Sequence, residues 1–354
     1  MNSKKWIKIL TVLCVLGVVG VGSVNYIIDP LWSFNHTNQF NKKQQGFDER
    51  QQKTNFVNFH KLDSFDGVLL GSSRTTYINQ NDFIGMKIYN YASSSMRPFE
   101  YKGYIDFFKK KKGTDLKYII IGSDFYGTGI PKDIEFKKPE FYIENTQSIL
   151  YRYKMLLSID TLKKSSHNVL GTLLGFPKYY TRDNVKFQPK VSEKERLERY
   201  TKNIIRHTKN LTGIEYSWDS NYETILRQIK SDNPNSKFIV FTSPVTADLL
   251  ISIIKTGKRL NEYEKWLRLL IDVFGEVHHY MTINSITINS ENYPDDDHYY
   301  PHIAKLLANK LSGTYNKNIP KDFGIVLNKD NIDKFIKNFK IEVESYQSPI
   351  DRLK

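Results

Sequence analysis

The sequence predicts an α/β protein: a parallel β-sheet whose strands alternate with helices, carried behind one N-terminal membrane-spanning helix and interrupted by a partly helical insertion. Three observations predict it. Residues 9–28 run without a single charge. Downstream, short apolar runs that end on Gly or Ser alternate with helical stretches, the pattern of a parallel sheet and its crossovers. The chain is also long enough, at 354 residues with 40% hydrophobic and 25% charged, for one large or two small domains.

The first element is the membrane helix. Lys4, Lys5 and Lys8 precede the uncharged run, whose twenty residues would span about 30 Å, the thickness of the hydrocarbon core. Basic residues before it and Asp29 after it predict residues 1–8 in the cytoplasm and the C-terminal domain outside, making this a single-pass protein of the cell membrane. Gly20, Gly22 and Ser23 resemble a signal-cleavage region, but the run continues through residues 24–28, which favours a retained anchor. Pro30 ends the helix and Trp32 suits the headgroup layer. Residues 29–55, rich in Asn, Gln and Lys, read as a connector.

The globular domain is expected over residues 56–312. Strands are predicted at 67–70, 87–90, 116–122, 237–242 and 277–281, and helices at 98–110, 222–230, 262–274 and 302–311. Residues from about 127 to 212 are less patterned and read as an insertion covering one end of the sheet. Residues 313–354 read as a polar C-terminal extension with a helix at 332–339.

Composition narrows the function. The net charge of +14 suits an anionic partner: a membrane surface, a wall polymer or nucleic acid. No nucleic-acid-binding module is recognisable, and the outward topology argues against one. Cys14 is the only cysteine, so there is no intrachain disulfide. Its neighbours Val12 and Leu13 are too large for a lipoprotein site.

Two stretches carry candidate chemistry. Strand 67–70 ends in Gly71-Ser72-Ser73-Arg74, and parallel sheets gather ligands just past the carboxyl ends of their strands. A helix N-cap explains the serines equally simply. The second stretch is Asp295-Asp296-Asp297-His298. Three-residue spacing lets Asp295 and His298 meet, and a carboxylate beside an imidazole fixes its tautomer and supports the cation formed in general-base work. An exposed acidic loop is the plainer alternative. His278, His279 and His298 with these acids lack zinc-type spacing, so no metal and no cofactor are expected. Trp218, Tyr299 and Tyr300 offer a sugar-stacking surface, with core packing the default for Trp218.

Gly71-Ser72-Ser73, residues 90–95, Gly122-Ser123-Asp124 and Asp295-x-x-His298 occur in the order and spacing of the SGNH (GDSL-type) hydrolase superfamily. The resemblance spans residues 64–312 and is nearest to the membrane-anchored branch of cell-envelope polysaccharide and teichoic-acid loci, which also has one transmembrane segment, Asp-Pro, and a strand ending in Gly-Ser-Ser-Arg. It implies a three-layer SGNH-like fold, Ser73 as nucleophile, His298 as base and Asp295 as the orienting acid. Ser72 stands where the family has Asp, Ser95 near its second-block Gly, and Asp124 where an Asn donates to the oxyanion. Ser95 and Asp124 are therefore the oxyanion-side candidates, and Arg74 a candidate for holding an anionic substrate group or pairing with Asp124. The implied function is a serine-dependent O-acyltransferase or esterase acting on an envelope glycan or wall polymer. A transferase would need a multi-spanning membrane partner to pass the acyl group outward. The alternative is a non-catalytic accessory protein that keeps the fold.

Overall fold

A computed structural model of the chain describes residues 3–131, 136–207, 209, 212, 215–314 and 317–347. In order, α1 (Ser3–Ile28), β1 (Lys43–Gln44) and α2 (Glu49–Phe59) lead into β2 (Gly67–Leu70), β3 (Ile88–Asn90), α3 (Pro98–Lys112) and β4 (Tyr118–Ser123). Then come α4 (Pro139–Gln147), α5 (Tyr151–Leu156), α6 (Ile159–Leu174), β5 (Tyr179–Thr181), β6 (Lys186–Phe187), α7 (Glu193–Arg206) and α8 (Tyr222–Ser231). The last stretch holds β7 (Lys237–Thr242), α9 (Ala247–Ile251), α10 (Leu260–Phe274), β8 (Glu276–His279), α11 (Pro301–Leu311), β9 (Ile325–Asn328) and α12 (Ile332–Ser345).

The chain divides into two compact units. One comprises residues 63–136 and 188–354, and it holds a six-stranded sheet in the order β3-β2-β4-β7-β8-β9. The first five strands are parallel, with Leu69 beside Asn90 and Ile120, and Ile120 beside Ile239. The central strands β2, β4 and β7 carry successive apolar residues because both faces are covered, as parallel strands require. Leu69, Ile120, Ile239 and Phe241 point to one face, where Ile303, Leu307 and Leu311 of α11 pack on them. Alternation sends Val68, Leu70, Ile119 and Ile121 the other way, and all four are buried. Helix boundaries follow local chemistry: Pro98 and Pro301 open α3 and α11, and Gly113 closes α3 in the left-handed conformation at φ 78°.

The chain leaves β2 toward β3 on one side, and leaves β4 toward β7 on the other. The crevice between β2 and β4 is thus the topological switch point, where open α/β sheets bind ligands. Ser72-Ser73-Arg74 and Asp124 follow the two strands that flank it.

The expectation of an all-parallel sheet needs correction. β9 pairs antiparallel with β8, Val277 facing Leu327, so the sheet is mixed. Residues 313–354 are accordingly part of the sheet unit: β9 forms its edge, and Ile332, Ile336, Phe339 and Val343 of α12 are buried.

The second unit comprises residues 1–62 and 137–187. It holds α1, a small sheet in the order β1-β5-β6, and helices α2, α4, α5 and α6. The 127–212 stretch is therefore split, its 137–187 part folding with the N-terminal segment. Residues 29–55 are not a simple connector either. Asp48 caps α2, and Arg50, Gln51, Gln52, Lys53, Thr54 and Asn55 are all buried in it. Asp29 pairs with Arg182 at 2.8 Å, and the Lys186 ammonium with Glu49 at 3.1 Å.

Candidate active site

The end of β2 is shaped by one glycine. Gly71 has φ 152°, and a Cβ there would stand 2.2 Å from Thr75 Oγ1, so only glycine allows the tight turn out of the strand. Beyond it the Thr76 amide donates to the Ser72 carbonyl at 3.2 Å, and Thr76 Oγ1 to that of Ser73 at 2.5 Å. Ser73 is left half-buried at the lip of the crevice.

The acidic loop after β8 is pinned separately. Asp295 Oδ1 accepts from the amides of Asp297 and His298 at 3.1 and 2.8 Å, closing an Asx-type turn. The Thr246 amide and hydroxyl both donate to the Asp296 carbonyl at 3.0 Å, and Arg74 Nε donates to the Asp297 carbonyl at 2.9 Å.

These two turns meet. His298 Nε2 lies 2.8 Å from Ser73 Oγ, and His298 Nδ1 lies 2.9 and 3.1 Å from the carboxylate oxygens of Asp295. In the neutral imidazole, with Nδ1 donating to Asp295, Nε2 is the acceptor that Ser73 faces. The Tyr77 ring stands edge-on to the imidazole, centroids 5.8 Å apart. Asp297 Oδ1 lies 2.7 Å from His298 Nδ1, so a second carboxylate sits against the same nitrogen. Burial alone would lower the imidazole pKa, but the charges of Asp295 and Asp297 outweigh it and push His298 up to about 10. For Asp297, burial is likewise outweighed: His298, His207 and Arg74 hold its carboxyl well below the usual range.

Ser72, Arg74 and Asp124 form a buried network under the crevice. The Ser72 hydroxyl donates to Asp124 Oδ2. Arg74 reaches Asp124 Oδ1 at 3.1 Å through Nη1 and Asp297 Oδ2 at 3.2 Å through Nη2, with its side chain 5% exposed. Its guanidinium also stands 5.5 Å from the centroid of the Tyr126 ring. Burial would lower the Arg74 pKa, but Asp124 and Asp297 raise it further above its ordinary value. Pairing with Asp124, one of the two roles expected for Arg74, is present, and the guanidinium is buried between its two carboxylates. Both oxygens of Asp124 are engaged, one by the Ser72 hydroxyl and the other by Arg74.

Ser95 is exposed at φ 55°, the left-handed region that favours glycine. The Tyr91 and Ser93 amides donate to the Leu69 and Gly71 carbonyls, so the exit from β3 runs beside the exit from β2. Ser95 lies two residues past Ser93 as Ser73 lies two past Gly71. Among the described residues, the backbone N–H groups of Ser73 and Ser95 donate to no carbonyl or side chain.

Tyr299 and Tyr300 form no stacking surface. Tyr299 is fully buried, and the buried Tyr300 hydroxyl accepts from the Val191 amide at 3.1 Å. Trp218 is half-buried, with the Lys265 ammonium 4.3 Å from its ring centroid. His279 is also remote in role, buried between the Thr242 and Tyr263 hydroxyls at 2.9 and 2.6 Å.

Sequence reasoning missed His207, and it named Asp296 and Asp297 only as candidate metal ligands. His207 Nε2 lies 3.3 Å from Asp297 Oδ2, and burial keeps this imidazole below its usual range. Asp296 is fully buried, and burial, with the charges of Asp297 and Asp295, pushes its carboxyl up to about 8. The triple Asp was visible, but nothing in the sequence ties His207 to it. Ligand atoms of His207, Asp296 and Asp297 come within 4.8 Å of one another, as do those of Asp295, Asp297 and His298. Asp297 already shares both oxygens with Arg74, His207 and His298, so a cation in either group would compete with Arg74 for the same carboxylate.

No family model matches the chain, and no curated protein or solved structure matches it either. The fold and site are those of an α/β protein with a Ser-His-Asp relay at the switch point of a mixed, mostly parallel sheet.

Proposed function

We propose that the chain is a membrane-anchored, extracytoplasmic serine O-acyltransferase or esterase with a three-layer SGNH-like domain, acting on a cell-envelope glycan or wall polymer. The observation that carries the proposal is the relay itself: Ser73 Oγ 2.8 Å from His298 Nε2, and His298 Nδ1 2.9 Å from Asp295. Neutral His298 takes the Ser73 proton as Oγ attacks an ester carbonyl. The imidazolium, held by Asp295, returns that proton to the departing alkoxide, leaving an acyl group on Ser73. A sugar or polymer hydroxyl then attacks the acyl-enzyme with His298 again as base, or water does. The uncharged span of α1 supports the anchor, and the +14 charge an anionic polymer or membrane surface. For transfer, the acyl group is supplied by a multi-spanning membrane partner.

The buried Asp124–Arg74 pair favours a second reading, a non-catalytic accessory protein. A fluorophosphonate probe separates the two. Covalent labelling of the full-length protein that disappears with Ser73→Ala and falls with His298→Ala supports an enzyme. A folded protein that takes no label is the accessory protein.

A further inference from the structure

The unit that contains α1 has an inverted distribution of polarity. In α6 the buried residues are Thr161, Ser165 and Asn168. The exposed ones include Ile159, Leu170, Leu173 and Leu174, the last two 70% and 84% exposed. Just before it, Tyr153 and Leu157 are 64% and 54% exposed. On the helical wheel a polar, small face is turned inward, and the outward arc carries Leu173, Ile159, Leu170 and Leu174 with Ser166 and Lys163 among them and His167 and Asp160 along one edge, all exposed. In water the apolar residues of that arc would belong inside. A helix with such an outward face is suited to lie in a membrane interface, with lysines reaching back to the headgroups.

What covers this face is indicated by its neighbour. α5 and α6 are packed on the last turns of α1. Asn25 of α1 is buried there: its amide donates to the Leu156 and Ser158 carbonyls at 2.8 and 3.1 Å, and its Oδ1 accepts from Ser165 Oγ at 2.9 Å. A Cβ at Gly22 would stand 3.6 Å from Leu157. Gly22 lies six residues inside the uncharged span, about 9 Å along the axis from its end at 1.5 Å per residue. Asn25 lies three residues inside the same span, about 4.5 Å from its end; a carbonyl such as that of Leu156, which ends α5, could not remain unpaired there, and Asn25 supplies its donor, while the Ser158 carbonyl also accepts from the Leu162 amide at 3.0 Å.

We infer that α5 and α6 form a second membrane-seated element, bedding Tyr153, Leu157, Ile159, Leu170, Leu173 and Leu174 in the outer leaflet of the bilayer that α1 spans. The inference rests on the membrane-anchor reading of α1. The occupant of the face is lipid acyl chains, continuous with those around α1, and Asp160, Lys163 and His167 lie at headgroup level.

The test uses the full chain in nanodiscs of phosphatidylcholine and phosphatidylglycerol with no other protein. A nitroxide is placed on the native Cys14, or on Leu157→Cys, Leu173→Cys or Lys194→Cys in a Cys14→Ser background. Relaxation by oxygen is then compared with relaxation by a water-soluble nickel chelate. Labels at 14, 157 and 173 should shift toward oxygen and away from nickel, relative to the label at 194 on α7. If 157 and 173 behave like 194 while 14 stays lipid-exposed, the inference fails and the anchor stands. If 14 also behaves like 194, both fail. Protection of 157 and 173 that appears only in native membranes would assign the face to a protein partner and overturn the lipid assignment. Tyr153→Cys and Leu174→Cys provide independent positions should either variant misfold.

Discussion

Replacing Asp297 by Asn should move the pH dependence of the site toward acid. His298 Nδ1 is 2.7 Å from Asp297 Oδ1 and 2.9 Å from Asp295 Oδ2, and together the two carboxylates push the imidazole up to about 10. At an effective dielectric of 20, one charge pair at 2.7 Å corresponds to ~6 kcal/mol. The real effect is smaller, because Asp297 also serves Arg74 at 3.2 Å and His207 at 3.3 Å. A neighbouring carboxylate typically moves a pKa by about 1–3 units, or ~1.4–4 kcal/mol. A general base works unprotonated, so wild-type activity should climb toward pH 10 and be lost as pH falls. In Asp297→Asn the climb in kcat/KM for p-nitrophenyl acetate should shift acid by ~1–3 units, raising the rate at pH 7. Asp295→Asn, which removes the hydrogen-bonded partner, should instead cost about 10⁴ in kcat. Far-UV circular dichroism checks that the variants fold. An unmoved or more alkaline limb in folded Asp297→Asn would refute the argument that Asp297 raises His298.

Two further outcomes follow from the buried acids. Asp124→Asn keeps an acceptor for Ser72 but leaves Arg74 with one carboxylate, and breaking such a buried pair costs about 3–5 kcal/mol; denaturant melts should show that loss, and unchanged stability would count against the pair's structural role. Asp296 is raised from 3.8 to about 8, so folding loses stability as pH climbs from about 4, where the unfolded carboxyl ionises, and the loss is complete above about 8. Asp296→Asn, which mimics the protonated form, should match wild type near pH 4 and gain on it progressively up to pH 8; a stability difference independent of pH would contradict the assignment.

The sheet was legible because its strands obey a local rule. Residues 67–70, 118–121 and 238–241 are unbroken apolar runs, which a sheet buried on both faces requires, and each is followed within a residue or two by a turn residue. β9 was not legible: Ile325-Val326-Leu327-Asn328 is short, half-exposed and fixed only by its antiparallel partner β8, a non-local condition. The first unit was misread for a different reason. Pattern reasoning takes polar stretches for solvent-facing ones, yet α2 buries six consecutive residues from Arg50 to Asn55, none of them apolar. Their partners are carbonyls and side chains scattered along the chain, such as Leu31 O and Tyr151 Oη for Asn55. In the site, Asp295 and His298 were legible by their spacing and Ser73 by its place at a strand end. Asp297 and His207 were not, since their role depends on Arg74 reaching across from another strand.

Arg74 also bears on how the site could stabilise an oxyanion without the usual asparagine. The resemblance to SGNH hydrolases places an acid before the nucleophile and an Asn at the end of the third strand. Here a hydroxyl, Ser72, stands first and an acid, Asp124, stands at the strand end, and the two are hydrogen-bonded to each other. Arg74 stands beside the Asp124 carboxylate as its counter-ion. A donor side chain is thereby lost, and under the proposed chemistry the task falls to backbone N–H groups. Ser73 and Ser95 carry two that donate to no group among the described residues, at adjacent strand exits. Ser95 holds its position at φ 55° although a side chain there costs about 1–2 kcal/mol. Strain of that kind persists where the neighbouring structure requires it, and under the proposed chemistry it would serve to keep the Ser95 amide outside the β-ladder.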